Sequence, residues 1–292
     1  MQIELIDTFL DLCETRSFNR TAERLGVTQS TISGRVKALE TAVGQRLFIR
    51  SRAGTALTLQ GMRFEPHARS LRLGWAEARH AISQSGGRAA TVRIGIQHDL
   101  VGSHFSDLIR AFRAALPDTS FFFEADYSTQ MCADLTTGAE DLAILFSPRF
   151  HPDLYFEPIG EITYEMVSTE TDRLEEVRRE TYILPHFSDA IPHAHAALHP
   201  ALATATLSIG QNAAMVSLMR TMGGSAYVLR DSAGELAVEG VCRRVIDAQP
   251  IPQAVFVGVN QRQRHRAVQR RLFQILRDHF RAPALRAEAR GG

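Results

Sequence analysis

"SFNRTAERLGVTQSTISGRVKALE", residues 17–40, decides the fold of the N-terminal part of this chain. Ser17 and Thr28 each precede a run of regularly spaced apolar residues, and Ser and Thr are favoured at the position that caps a helix. Gly26 lies between the two runs, where glycine readily ends a helix because it adopts the left-handed conformation. The stretch therefore predicts two helices joined by a tight turn.

The residues on either side of this stretch complete a small domain. Segment 3–15 places its apolar residues on one helical face and predicts a supporting helix. Two short runs, 47–49 and 56–58, flank a turn at Gly54 and predict a two-stranded wing. Residues 1–58 are thus predicted to form an N-terminal all-α winged helix-turn-helix domain.

Positive charge is concentrated in this domain, although the whole chain has a net charge of only +1. Seven basic and two acidic residues lie between Ser17 and Arg52, which indicates a nucleic-acid partner. In this fold the second helix of the motif enters the DNA major groove with its N-terminal end first. The candidate DNA contacts are Thr28, Gln29, Ser30, Thr31, Ser33, Arg35, Lys37, Arg50 and Arg52.

The second helix of the motif combines suitable chemistry with one unusual residue. Gln29 has the geometry for a bidentate pair with adenine, and the neighbouring hydroxyls suit bases or phosphates. Gly34 is unusual because glycine inside a helix costs about 1 kcal/mol relative to alanine. Two interpretations stay open. Gly34 admits close approach to a thymine methyl or the sugar-phosphate wall, or it is tolerated while Arg35 supplies the charge; we prefer the second.

A long helix with a heptad pattern follows the wing and is predicted to link it to the rest of the chain. Its apolar residues recur at spacings of four and three: Phe64, Ala68, Leu71, Trp75, Ala78 and Ile82. Such a seam favours pairing with a second copy of the chain. Residues 59–87 are therefore predicted to be a linker and dimerisation helix. Packing against the chain's own body is the alternative.

From Thr91 onward, strand-like and helix-like runs alternate, which is typical of an α/β fold with parallel strands. Residues 88–292 are predicted to form two Rossmann-like halves joined by crossing strands, as in periplasmic binding proteins. The first half covers about 91–161 and 263–281, and the second covers about 162–262. A small molecule is expected in the crevice between them, where strand carboxyl ends and helix N-termini converge.

The whole chain resembles LysR-type transcriptional regulators. The likeness is strongest over residues 9–50, "FLDLCETRSFNRTAERLGVTQSTISGRVKALETAVGQRLFIR", and over "LTLQG" at 57–61. It implies a sequence-specific DNA-binding regulator with a palindromic double-stranded operator and Gln29, Ser30 and Ser33 as base or backbone contacts. It also implies a homodimer through the linker helix and a homotetramer of two dimers. Gly34 departs from the family, whose members often have arginine there.

The effector site is predicted from the segments that follow strands in the α/β part. Its candidate residues are Gln97, His98, Ser128, Thr129, Phe146, Ser147, Gln211 and Gly223. The resemblance places four of these, Gln97, Thr129, Ser147 and Gln211, closest to the ligand. Helix N-termini with hydroxyl and amide side chains favour an anion, commonly a carboxylate.

The alternatives to a regulator with a small-molecule effector include a metal-responsive regulator, a redox-responsive regulator and an enzyme. His186, His193, His195 and His199 resemble metal-ligand spacing, although a polar surface segment is the preferred interpretation. Redox sensing needs a thiol of low pKa, and no Cys-x-x-Cys pair occurs. An α/β enzyme lacks support, since no Gly-x-Ser-x-Gly elbow, P-loop or Gly-x-Gly-x-x-Gly occurs. No cofactor or metal is therefore predicted.

The chain is expected to be cytoplasmic and without contact to a membrane. No run approaches the 18 or so apolar residues that indicate a membrane span, and the N-terminus lacks the residue order of a signal peptide.

Overall fold

The computed structural model describes residues 2–51, 54–83 and 91–288. Contacts divide the chain into two units, Met1–Arg88 and Ala89–Gly292. The predicted end of the linker helix at residue 87 lies outside the described residues, so that boundary stays a prediction.

The first unit consists of three short helices, a wing and a long helix. These are α1 (Ile3–Thr15), α2 (Phe18–Arg24), α3 (Gln29–Val43), β1 (Phe48–Ser51), β2 (Gly54–Leu57) and α4 (Leu59–Ser83). Ser17 Oγ accepts the Arg20 N–H at 3.4 Å, and Thr28 Oγ1 accepts the Thr31 N–H at 3.2 Å. Gly26 has a φ of 63°, so the predicted caps and turn are all present.

The wing is held against the helices by a side chain of α3 and by a close approach of α4. Strands β1 and β2 are antiparallel, with Phe48 opposite Leu57. Glu40 Oε1 accepts the N–H groups of Leu47 and Phe48 at 2.8 and 3.2 Å, which ties α3 to the wing. At Gly61 a Cβ atom would collide with the Leu47 carbonyl oxygen, so the close approach of α4 to the wing requires glycine.

The second unit is an α/β domain of two halves. Its first half begins with β3 (Thr91–Gln97), α5 (His98–Ala115), β4 (Ser120–Asp126), α6 (Ser128–Thr137), β5 (Leu142–Leu145) and β6 (Leu154–Ser168). The chain continues through two short 3-10 turns, Leu174–Glu176 and Arg179–Thr181. The second half then adds β7 (Tyr182–Pro185), α7 (Ile191–Leu198), β8 (Leu207–Ile209), α8 (Asn212–Thr221), β9 (Ser225–Leu229), α9 (Arg230–Val238) and β10 (Arg243–Arg244). Strand β11 (Ile251–Asn260) and α10 (Ala267–Glu288) follow.

Two long strands join the halves. The strand order is β4-β3-β5-β11-β6-β9-β7-β8, with β10 also on β6. Within each half the neighbours of β3 and β7 are parallel, whereas β6 and β11 run antiparallel to each other along most of their length. Because β11 pairs with β5 at Phe256–Gly258, its end belongs to the sheet of the first half. Assigning all of 162–262 to the second half is therefore wrong at this strand.

Candidate DNA-binding and effector-binding sites

The start of α3 is exposed and rich in hydroxyl groups. The side chains of Gln29, Ser30 and Thr31 are all exposed, as is Lys37 farther along the helix. Thr28 Oγ1 lies 2.8 Å from both the Ser30 and the Thr31 hydroxyl oxygens. These hydroxyl groups form hydrogen bonds with one another and are exposed to solvent. They are therefore accessible to an external partner.

Gly34 lies on the same exposed face of α3. A Cβ atom added there would meet no atom within 4 Å. The fold of this unit therefore gives no steric reason for glycine, and both interpretations of Gly34 remain open.

Arg35 is directed toward α1 and away from the exposed face. Its Nη1 donates to Thr8 Oγ1 at 3.3 Å, and the side chain is half-buried. Position 35 adjoins the inward-facing Ile32 and Val36, which brings its side chain close to α1. The expectation that Arg35 supplies charge beside Gly34 does not match this arrangement, because DNA contact requires Arg35 to leave Thr8.

The other predicted DNA contacts are less fully described. Ser33 is half-buried on α3. The side chain of Arg50 and the whole of Arg52 lie outside the described residues, so the contacts expected from the wing stay predictions.

Four of the predicted effector residues meet at one point in the first half. Ser128 Oγ donates to Gln97 Oε1 at 3.0 Å and accepts the N–H groups of Phe146 and Ser147 at 3.2 and 3.0 Å. Gln97, Ser128 and Phe146 are buried, and Ser147 is half-buried. The group connects the carboxyl ends of β3 and β5 to the start of α6, where Thr129 is exposed.

A tyrosine absent from the predicted site bridges the crevice. The Tyr127 hydroxyl accepts a hydrogen bond from Gln211 Nε2 at 3.2 Å, joining the first half to the second. Its ring lies edge-on to that of His98, with 4.9 Å between the centroids. The predicted residues His98 and Gln211 are thus brought together by Tyr127, which directly precedes α6.

Gly223 was predicted to belong to the effector site, but it lies away from the crevice. It lies before β9, where Gly224 N–H donates to Thr169 Oγ1 at 2.9 Å at the end of β6. The crevice lies at the opposite, carboxyl ends of β7 and β8. Gly223 has a φ of 70°, so this glycine serves a tight turn that leads into the strand.

Asp99 directly follows the predicted residue His98 and also lies in the crevice. Its Oδ1 accepts the backbone N–H of Asn212 at 2.8 Å, and its Oδ2 accepts the Tyr164 hydroxyl at 2.7 Å. These contacts link α5 of the first half to α8 of the second half and to the crossing strand β6. Burial raises the pKa of Asp99, and the two hydrogen bonds act in the opposite direction. The available sequence signal was an acidic residue two positions after the end of a buried strand.

The rim of the crevice carries one further contact between the halves. Arg149 Nη2 lies 3.8 Å from Asp189 Oδ2, and both side chains are largely exposed. Arg149, which follows β5, is thus paired with a carboxylate of the second half.

Two of the four histidines in the histidine-rich segment are buried and bond to tyrosine hydroxyls. The Tyr182 hydroxyl lies 2.8 Å from His195 Nε2, and the Tyr227 hydroxyl lies 2.7 Å from His199 Nε2. Both histidines are buried, and burial lowers the pKa of His195 to about 4. Within the described residues no group of three or more His, Cys, Asp or Glu side chains is arranged to hold a metal ion. The preferred polar-surface interpretation is also wrong for these two histidines.

The cysteines lack the properties of a redox sensor. Cys132 and Cys242 are buried, and all three thiols are free. Burial raises the pKa of each thiol, to about 11 for Cys242, which disfavours the reactive thiolate.

Comparison with known proteins identifies the family. The family described as "Bacterial regulatory helix-turn-helix protein, lysR family" matches residues 3–62, and "LysR substrate binding domain" matches residues 85–281. The chain belongs to the LysR family. These matches confirm the predicted family and the predicted order of a helix-turn-helix region followed by a substrate-binding domain.

Individual LysR-type relatives are distant. The regulator IlvY of Escherichia coli strain K12 is 30% identical over 153 residues, 52% of each chain, so the alignment spans about half of that relative. BbuR of Bordetella bronchiseptica is 25% identical over 312 residues, covering 100% of this chain and 92% of that protein. The solved structure of Vibrio fischeri DarR in complex with DNA has a TM-score of 0.56 at 21% identity, covering 95% of this chain and 99% of that chain.

Among the described residues, no helix has the length and apolar character needed to cross a bilayer.

Proposed function

We propose that this LysR-family chain is a sequence-specific transcriptional regulator that acts on DNA in the cytoplasm. A small-molecule effector bound between the halves of its second unit would modulate its operator binding. The observation that carries the proposal is the exposed start of α3, where Gln29, Ser30 and Thr31 present amide and hydroxyl groups to solvent. Polar side chains at the N-terminal end of such a helix are suited to base edges and phosphates.

Pairing of two chains through α4 is supported by the way its heptad pattern divides. Ala68 is buried and Phe64 packs against the core of its own unit. Farther along the helix, Leu71, Trp75 and Ile82 are 44%, 50% and 72% exposed. Apolar side chains repeated on one exposed face favour a second helix of the same kind. A homodimer would present two copies of α3 to a palindromic operator, and the family resemblance adds a tetramer of two dimers.

The effector site proposed for the crevice comprises Gln97, His98, Ser128, Thr129, Phe146, Ser147 and Gln211, with Tyr127 added. Support comes from the convergence of these residues at strand carboxyl ends and helix N-termini, the usual ligand position in such sheets. The predicted preference for an anionic effector has less support at α8, because Asp99 already occupies its N-terminus.

DNA selection followed by salt titration tests the proposal. Repeated selection from random duplexes with the full chain should enrich a palindrome. Binding of that duplex, followed by fluorescence anisotropy, should weaken steeply between roughly 50 and 200 mM salt because several phosphates are neutralised. No enriched sequence, or an affinity unchanged over this range, would refute sequence-specific binding. A small molecule that stabilises the full chain and shifts this affinity would support effector control.

A further inference from the structure

The Asp99 carboxylate occupies a position that otherwise suits an external anion. Asn212 is the first residue of α8, and its N–H donates to Asp99 Oδ1 at 2.8 Å. The first N–H groups of a helix lack partners within the helix, and its N-terminal end carries partial positive charge. The Tyr164 hydroxyl donates to the other oxygen at 2.7 Å, and Asp99 is only 6% exposed.

Neither donor depends on Asp99 for its position. The Asn212 side chain accepts the Leu229 N–H at 2.8 Å and donates to Ser232 Oγ at 2.9 Å, which fixes the start of α8. The Tyr164 ring is fully buried and stacks on Phe187 with 4.8 Å between the centroids. Two donors are thus held in place, one from the second half and one from the crossing strand β6.

We propose that the Asp99 carboxylate fills an anion-binding position between the two halves, called here the anion seat, and that it thereby determines which effectors bind. The anion seat is formed by the Asn212 N–H and the Tyr164 hydroxyl. With the seat filled, the α8 end of the crevice takes a neutral or cationic group of the effector and rejects a carboxylate. This inference rests on the proposed function insofar as the crevice is the effector site.

The rejection of a carboxylate follows from electrostatics. A second anion beside Asp99 would face a like charge in a buried, low-dielectric place, with both seat donors already used. An amide or an ammonium group avoids the repulsion, since it offers a hydrogen to the carboxylate. Because Asp99 belongs to α5 of the first half and accepts from donors in the second half and on the crossing strand β6, it also holds the halves together.

Chemical rescue tests the seat. Thermal unfolding of the full chain is compared for the wild type and Asp99→Ala in sodium formate and in sodium chloride at equal ionic strength. Asp99→Ala should unfold several degrees lower, and formate but not chloride should restore part of the loss because it refills the seat. The wild type should not respond to formate. Asp118→Ala, which removes an exposed carboxylate from a turn, is the matched control and should resemble the wild type.

Matched pairs of ligands test the specificity. Benzoate with benzamide, and nicotinate with nicotinamide, are titrated against both proteins. The carboxylate-to-amide affinity ratio should rise by about tenfold or more in Asp99→Ala, the factor equivalent to 1.4 kcal/mol. A ratio that Asp99→Ala leaves unchanged would overturn the specificity role.

Other outcomes are equally decisive. An Asp99→Ala protein as stable as the wild type, or an equal formate response in both, would overturn the seat. If Asp99→Ala does not fold, the same effect of formate on the unfolding temperature is measured with Asp99→Ser. Unfolding needs neither DNA nor effector, so failed rescue leaves the proposed regulator standing. A rescued variant in a chain that binds no operator would refute only the proposed regulator.

Discussion

The start of α3 and the crevice of the second unit contrast in how their polar groups are used. At α3 the hydroxyls of Thr28, Ser30 and Thr31 lie within a few residues of one another and are exposed. In the crevice, Asp99 and Asn212 are 113 positions apart in the chain and both are buried. Local sequence therefore specifies a surface for an external partner, whereas the polar groups of the crevice largely form hydrogen bonds with one another.

The largest expected effect tests whether the α3 surface acts through direct contact. Gln29→Ala should weaken binding of the selected operator by about 10- to 100-fold, the range for losing a bidentate base contact. Its unfolding temperature should stay unchanged because Gln29 is exposed. Fluorescence anisotropy and thermal unfolding provide the two measurements. Gln45→Ala, an exposed glutamine just after α3, is the control and should bind normally. Equal affinity of both variants would exclude Gln29 from recognition.

A medium effect is expected from a buried carboxyl group in the second unit. Glu140 is buried against the backbone of Gly95, and its Oε2 has no hydrogen-bond partner among the described residues. Burial, with a smaller contribution from nearby Asp134, raises the pKa of Glu140 to about 9. The folded protein then holds a proton that the unfolded chain releases above its ordinary pKa of 4.5. The free energy of unfolding should therefore fall as pH rises from about 4.5 to about 9.

Glu140→Gln is expected to remove this dependence. Urea unfolding at several pH values should give a difference between wild type and variant that grows toward pH 9 and then levels off. Asp118→Asn, at an exposed carboxylate, should show no such trend. A difference that does not vary with pH would show that Glu140 ionises normally in the folded protein.

The smallest expected effect concerns Gly34. Alanine there meets open space, so Gly34→Ala should stabilise the first unit by up to about 1 kcal/mol through helix propensity. Operator affinity should stay within a few fold if glycine is merely tolerated. Unfolding and anisotropy on the same preparation separate the two effects. A stable variant that loses DNA binding would instead establish close approach of DNA to the helix backbone at this position.

Much of the DNA-binding unit followed from sequence because its determinants are local. Ser17, Gly26 and Thr28 act on neighbouring backbone groups, and the capping bonds and the turn lie where the pattern predicts them. Arg35 is the exception. Its hydrogen bond to Thr8 spans 27 positions, and helical spacing alone does not reveal which flanking charge meets another helix.

By itself, the sequence determined the fold class, the family and the strand ends from which the crevice is built. Its residue patterns also identified Gln97, Ser128, Phe146 and Ser147, which the structure joins through one serine hydroxyl. Tertiary structure alone decided that Asp99 and Tyr127 bridge the halves and that Gly223 lies at the wrong end of its strand. The physical reason is that a buried polar group must find a partner, and partners distant in the chain meet only when the sheet has formed.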